Sequence, residues 1–275
     1  MIRDITIGQY YQTESVIHRM DPRFKIIATM VFIISIFIFT NPYIYIVASV
    51  FLGICIALSR VPFKFMVRGL KSVVMLILIT VIFNMFFIQG EPLFHIWKIT
   101  ISKEGVETAL YMAVRLIILI IGSSIMTLTT TPNQLTDGLE SVMKPLKLFR
   151  VPVHEIAMMM SIALRFIPIL MEETDKIIKA QTARGASFED KNMIKRVKSL
   201  VPVLVPLFVS AFRRASDLAM AMEARCYRGG DGRTKMKPLK YHRVDFVGYV
   251  VIIIYFACII FTGIYAHYLP FGEGL

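Results

Sequence analysis

Five stretches of this chain are almost continuously apolar and approach the ~17–25 residues that cross a bilayer core. They run over Ile26–Thr40, Tyr43–Ser59, Leu70–Ile88, Thr108–Thr129 and Val244–His267. The first is short and relies on its flanks or a locally thin bilayer. Between the fourth and fifth the pattern changes. Thr131-Pro132 opens an amphipathic helix with Leu135, Leu139, Val142, Met143 and Leu146 on one side and Asp137, Glu140, Lys144 and Lys147 elsewhere, and Val151-Pro152 breaks it. Two longer stretches follow. Val153 to Arg184 begins apolar and turns charged in "MEETDKIIKAQTARG", while Asn192 to Arg225 begins basic, becomes apolar in "LVPVLVPLFVSAF" and ends charged in "RRASDLAMAMEARC". Each apolar portion is shorter than a comfortable span and interrupted, by Arg165 and Pro168 in one and by Pro202 and Pro206 in the other. The pattern predicts an all-α membrane protein of about five transmembrane helices with a separate set of long amphipathic helices.

Composition agrees, with 56% hydrophobic residues and a mean hydropathy of +0.65, well above a soluble domain of this length. The net charge of +12 raises nucleic acid as a partner, and the placement of the charges answers it. Arg3, Arg19, Arg23 and Lys25 precede the first span, and Arg60, Lys64, Arg68 and Lys71 fill the second-to-third connection. The Asn41-Pro42 turn carries no charge, and the third-to-fourth connection sets Lys98 and Lys103 against Glu91, Glu104 and Glu107. Lys and Arg thus alternate with topology, which predicts a cytoplasmic N-terminus and explains the basicity by the lipid bilayer rather than by nucleic acid. The polar N-terminal 25 residues, with no small-residue cleavage site after the first apolar run, predict an internal span and no cleaved signal.

Little in the chain suggests catalysis. No GxxxxGK[ST] occurs, and "RGGDGRTK" reads as a turn and helix stop rather than a phosphate cradle, so no ATP hydrolysis and no cofactor are expected. Cys55, Cys226 and Cys258 offer neither a disulfide framework nor metal spacing, and the five histidines show no ligand pattern, so no metal is expected. Arg115 inside the fourth span is costly there, and is read as a structural partner to a carbonyl or an acidic neighbour in preference to a transport residue. Glu172, Glu173 and Asp175 read as a solvated helix face, with pairing to Lys176, Lys179 or the basic third stretch as the alternative.

A short arginine motif occurs twice, as Ala183-Arg184-Gly185 in "KAQTARGAS" and Ala224-Arg225-Cys226 in "AMEARCYRGG". One such motif is what C-capping and the helix macrodipole produce with no function attached. Three features point further. The motif is repeated at the ends of similarly built helices, its alanine leaves room for a partner surface, and arginine carries a planar, permanently charged fork suited to a carboxylate.

This pair of motifs resembles the transmembrane T component of energy-coupling factor (ECF) transporters, the CbiQ/EcfT family. "GQYYQTESVIHRMDPRFKI", "ALYMAVRLIILI", "SIALRFIPILMEE" and "AMEARCYRGGDGRTKMK" are similar to family patterns as well, so the resemblance covers most of the chain. Cys226 departs from it, standing where the family more often has Gly. The resemblance implies that the two motifs end cytoplasmic coupling helices and dock into grooves on two ATPase subunits, which use the ATP. A non-enzymatic subunit of an ABC-type importer would then pass ATP-driven motion to a membrane-embedded S component that binds a vitamin or related micronutrient. Parity follows from that expectation. If each interrupted apolar portion crossed the membrane once, the motifs would face opposite sides, and two cytoplasmic ATPases could not reach both.

The expected organisation is therefore a cytoplasmic segment over 1–25, four transmembrane helices over 26–129, a cytoplasmic coupling-helix domain over 130–243, and a last span with an external tail over 244–275. Met158, Met159, Leu164, Leu204 and Phe208 are the expected S-component contacts, because their surface is too broken to span and too large to leave in water. The alternative is a self-contained permease or membrane-bound enzyme. A substrate or ion pathway usually needs several intramembrane carboxylates, and the five spans contain only Asp245, at a boundary.

Overall fold

The computed structural model describes residues 10–38, 41–88, 92–96, 99–186, 188, 193–230, 236 and 238–265. Those residues form nine α-helices, a 3-10 helix and one small hairpin. The described residues fall into two compact units, one within 143–238 and the other within 10–142 and 239–265.

The larger unit begins with α1, Val16–Arg19, whose N-cap Ser15 accepts from the His18 amide. Three helices then follow at places marked by proline: α2, Pro22–Ile38; α3, Pro42–Ser59; and α4, Phe63–Phe87. Proline at a first helical position sacrifices an amide with no helical partner anyway, and Asn41 caps α3 by accepting from the Tyr43 amide. The strands β1, Pro92–Ile96, and β2, Ile99–Ser102, pair antiparallel with Phe94 opposite Ile101 and His95 opposite Thr100. Hydropathy did not predict this hairpin. Ser102 then caps α5, Lys103–Thr129, and α6, Pro132–Val142, opens with a reciprocal pair of bonds between Thr131 and Gln134. The last helix, α9, covers Arg243–Tyr265.

Helices α2, α3, α5 and α9 surround one core in which Ile36, Ile44 and Ile259 are wholly buried. Phe51 stacks on Tyr255 with ring centres 4.2 Å apart. Around this core the outward faces are apolar too: Ile46, Val50 and Ile54 follow one another at four-residue spacing on α3 and are all more than half exposed. In water such a surface would aggregate, whereas in a bilayer it faces lipid. Helix α6 packs on α2, so compactness divides the chain at Met143.

Two polar groups inside this unit are structurally explained. Arg115 donates from Nε to the Tyr45 hydroxyl at 2.9 Å, with its guanidinium carbon 5.7 Å from the ring centres of both Tyr45 and Phe37. Its partners are therefore a phenol and two aromatic faces, where the sequence reading expected a carbonyl or carboxylate. Rings can hold a desolvated guanidinium while remaining apolar towards their own neighbours.

The second is a cluster where α2 and α9 begin. Asp245, fully buried, accepts the His242 amide at 2.6 Å and the Asp21 amide at 2.8 Å. Asp21 in turn accepts the Arg23 amide at the start of α2. Lys25, also buried, donates to the Thr129 carbonyl at 2.8 Å, placing its cation at the negative end of α5. His18 links the same end to the N-terminal segment through the Tyr11 carbonyl at 3.0 Å, and burial holds its pKa below the ordinary imidazole value. The "MDPR" sequence is thus a helix start tied to a distant carboxylate.

The smaller unit contains the 3-10 helix Lys144–Phe149 and two long helices, α7, Val153–Ala183, and α8, Met193–Ala224. Pro168 lies inside α7 and Pro202 and Pro206 inside α8, and both helices run on through them.

Among the described residues, five helices are long and apolar enough to cross a membrane: α3, α5, α7, Lys198–Ala224 of α8, and α9. The two arms Phe63–Lys71 and Val73–Phe87 of α4, bent by 59°, form a sixth if joined. The chain is an all-α multi-pass membrane protein apart from its hairpin. The five are not the same five the sequence pattern picked out. Helix α2 has 17 residues and α4 is bent, whereas α7 and α8, whose apolar parts looked too short, are extended by unbroken helix through their prolines.

Candidate functional site

Both arginine motifs close their helices in the same way. At the end of α7, the Arg184 amide donates to Ala180 and Gln181, Gly185 to Thr182, and Ala186 back to Gln181 at 3.0 Å. At the end of α8, the Arg225 amide donates to Ala221 and Met222, Cys226 to Glu223, and Tyr227 back to Met222 at 3.0 Å. Residue for residue these are one motif, a Schellman closure whose third residue is left-handed, with φ of +89° at Gly185 and +56° at Cys226. Glycine takes that conformation freely, while a residue with a Cβ is strained there by ~1–2 kcal/mol.

Cys226 is therefore retained at a cost that Gly185 does not bear. Replacing Cys226 by Gly is expected to stabilise the end of α8 by up to ~1 kcal/mol, and Gly185→Cys to weaken α7 by a similar amount. Amide hydrogen exchange over the last two turns of each helix checks both, and slower exchange in the unaltered Cys226 chain than in its Gly variant would contradict the strain.

Ala183, Arg184, Gly185, Ala224, Arg225 and Cys226 are all exposed. Among the described residues neither Arg184 nor Arg225 has an ion-pair partner. Each closure satisfies the last carbonyls through the backbone alone, so the guanidinium is left free of any capping duty.

What joins the two helices is a polar contact. Glu173 of α7 accepts from Ser210 at 2.5 Å and from Arg214 at 2.7 Å, both on α8. Of the acidic run in α7, Glu173 bonds the third stretch and Glu172 stays exposed. Glu173 and Arg214 each lie ten residues before the last residue of their own helix. Each motif therefore stands about 15 Å beyond the contact along its own axis, at 1.5 Å of rise per residue.

The five expected apolar contacts divide by exposure. Met159, Leu204 and Phe208 are exposed, whereas Met158 and Leu164 are half-buried. On α8 the sequence reading saw only part of the surface. Leu200, Leu204, Phe208 and Phe212 form one stripe and Val201, Val205 and Val209 a second beside it, each at four-residue spacing and each member exposed by 46% or more. Extending Leu204 and Phe208 by four residues in both directions was the signal that would have found Leu200 and Phe212, and the same spacing one residue on gives the valines.

The family model described as CbiQ, cobalt transport protein, matches residues 13–236. The chain belongs to the CbiQ family. It is 55% identical over 250 residues to the energy-coupling factor transporter transmembrane protein EcfT of Clostridium kluyveri, covering 90% of this chain and 92% of that one. The protein of the same name from Ruminiclostridium cellulolyticum is 53% identical over 245 residues, covering 89% and 92%. That from Lactococcus lactis is 45% identical over 254 residues, covering 92% and 96%. This CbiQ-family member is thus a transmembrane component of an energy-coupling factor transporter.

Proposed function

We propose that the chain is the non-ATPase coupling subunit of such a transporter. Arg184 and Arg225 dock on two cytoplasmic ATPase subunits, and the apolar stripes of α8 together with Met158, Met159 and Leu164 of α7 receive a separate membrane-embedded S component. ATP-driven motion of the docked helix ends is passed through the α7–α8 pair to that component for uptake of a vitamin or related micronutrient. The observation that supports this best is the congruence of the two exposed helix ends, each offering an uncommitted arginine. A purely structural cap has no need for the same side chain twice.

Purification of the tagged full chain in mild detergent tests it. Two ATPase polypeptides and at least one further integral membrane protein are expected to co-purify, and recovery of the chain without any ATPase would overturn the reading.

Parity decides the topology that goes with this function. Helices α7 and α8 are long enough to cross, but crossing by each would set the motifs on opposite faces. We place both on the cytoplasmic side with the N-terminus, the two helices lying against the membrane and their charged ends projecting from it. Single cysteines at positions 187 and 232, which lie outside the described residues, test this in a background free of Cys55, Cys226 and Cys258. Both are expected to be shielded from an impermeant external thiol reagent. A cysteine at Gly274, in the tail that likewise lies outside the described residues, is expected to be labelled. External labelling at 187 refutes the arrangement.

A further inference from the structure

We propose that the larger unit holds one anionic phospholipid, with an acyl chain in the groove between α3 and α9 and its phosphate between Arg19 and Arg60. The groove has a volume of about 230 Å³ and is walled by α2, α3, α5 and α9, with Phe32, Gly122 and Ile125 among its inner residues. For scale, an apolar cavity of ~150 Å³ stays dry and takes up benzene. Its outer residues Ile54, Leu58, Val247 and Val251 are 45–63% exposed, so it opens sideways through the face that meets lipid.

A second hollow adjoins it. Val16, Leu58 and Val244 line both, and the remaining walls of the second are Glu14, Ser15, Arg19, Ala57 and Arg60. The end of α3 and the starts of α1 and α9 meet there, which is where an apolar helical bundle passes into the headgroup layer. An apolar slot open to the side and capped by two arginines has the chemistry of a lipid tail with a phosphate above it. Glu14 is the opposing charge, paired to Arg19 at 2.8 Å. With side-chain exposures of 71% and 86% that pair is held weakly, so a phosphate can displace it. Arg60 has no ion-pair partner among the described residues. Lys25, at the inner end of the groove, is already committed to the Thr129 carbonyl. An anionic headgroup is therefore favoured over a zwitterionic one, through two arginines rather than three cations.

The test reads lipid contact by fluorescence. Trp97 is the one tryptophan of the chain, and a Trp97→Phe background makes an introduced tryptophan the sole reporter. Val247→Trp places it on the groove wall, and Phe246→Trp, on the neighbouring exposed position outside the groove, is a control at the same depth. The full chain is reconstituted in vesicles containing brominated-chain phosphatidylglycerol or phosphatidylcholine, and quenching is titrated.

At Val247→Trp the anionic lipid is expected to outcompete the zwitterionic one by about fivefold to thirtyfold more than at Phe246→Trp, the range for one to two basic residues near a phosphate. Arg19→Gln with Arg60→Gln removes that excess, while Arg19→Lys with Arg60→Lys keeps most of it. Equal preference at the two reporters means ordinary boundary lipid and overturns the proposal. So does a preference that survives the double Gln variant. Loss of the excess on adding free glycerol phosphate assigns the arginines to a soluble phosphate and also overturns it.

Discussion

Membranes carrying Arg184→Ala together with Arg225→Ala are expected to show no ATP-driven uptake, although the protein still inserts. The expectation rests on desolvation. A guanidinium that meets a carboxylate in a partner's groove is cut off from water once the helix end is covered, and truncating one member of such a pair costs ~2–5 kcal/mol, much of it from the charge left unpaired. Two sites would together remove enough to dissociate the ATPases or to uncouple their hydrolysis from transport. Each single variant is expected to lose part of this, and Lys at either position to restore it partly, because it keeps charge but not the bidentate fork. A structural role gives a different outcome. The helix ends are closed through backbone bonds that alanine leaves intact, so loss of the side chain would then remove only ~0.3–1 kcal/mol of dipole interaction. Uptake assays normalised to membrane content separate the two, and normal uptake by the double variant would sink the docking role.

The second large effect is expected at Asp245. Its carboxylate is fully buried and accepts one backbone amide from each of the segments that lead into α2 and α9. Leucine at this position leaves both amides without a partner, at ~1–3 kcal/mol for each unsatisfied group. It also removes a negative charge that, with Asp21, offsets the burial of Lys25. Asp245→Leu is therefore expected to destabilise the larger unit by ~3–5 kcal/mol, read as a drop in thermal unfolding temperature in detergent and in membrane yield. Asp245→Asn keeps one acceptor and should fall between. Glu14→Gln, at an exposed pair, should move stability by under ~1 kcal/mol. A leucine variant as stable as the glutamine one would show that the buried bonds are replaceable.

The parts of the molecule legible in the sequence are those governed by local chemistry. Pro132 marked a helix start because proline is tolerated there, and the two arginine motifs marked helix ends, whereas the starts of α2 at Pro22 and α3 at Pro42 fall before the apolar runs that were read. The amphipathic helix expected to run from Pro132 to Val151 ends earlier, α6 closing at Val142 and giving way to the 3-10 helix Lys144–Phe149, while Pro152 does stand immediately before α7. Long-range pairings were not legible. Arg115 was recognised as needing a partner, yet nothing near it in sequence pointed to Tyr45, 70 residues away. Nor does an Asp in the first turn of α9 reveal that its second oxygen serves the start of α2. Length misled in the smaller unit. Apolar runs broken by Pro168, Pro202 and Pro206 looked too short to span, and only the continuity of the backbone makes α7 and α8 long. The shared left-handed geometry of Gly185 and Cys226 was hidden for a related reason, since cysteine gives no sign of a positive φ.

The bond from Asp21 to Asp245 also has a consequence in time. It closes a loop of 224 residues, and at ~5–20 residues per second a ribosome needs roughly 10–45 s to deliver the acceptor after the donor has emerged. Lys25 finds the Thr129 carbonyl after 104 residues, about half that interval. Helix α2 therefore waits through most of synthesis with its entrance incomplete, and α9 completes it. A nascent chain stopped before Arg243 lacks the acceptor for the Asp21 amide at the entrance of α2, however well its other helices have formed.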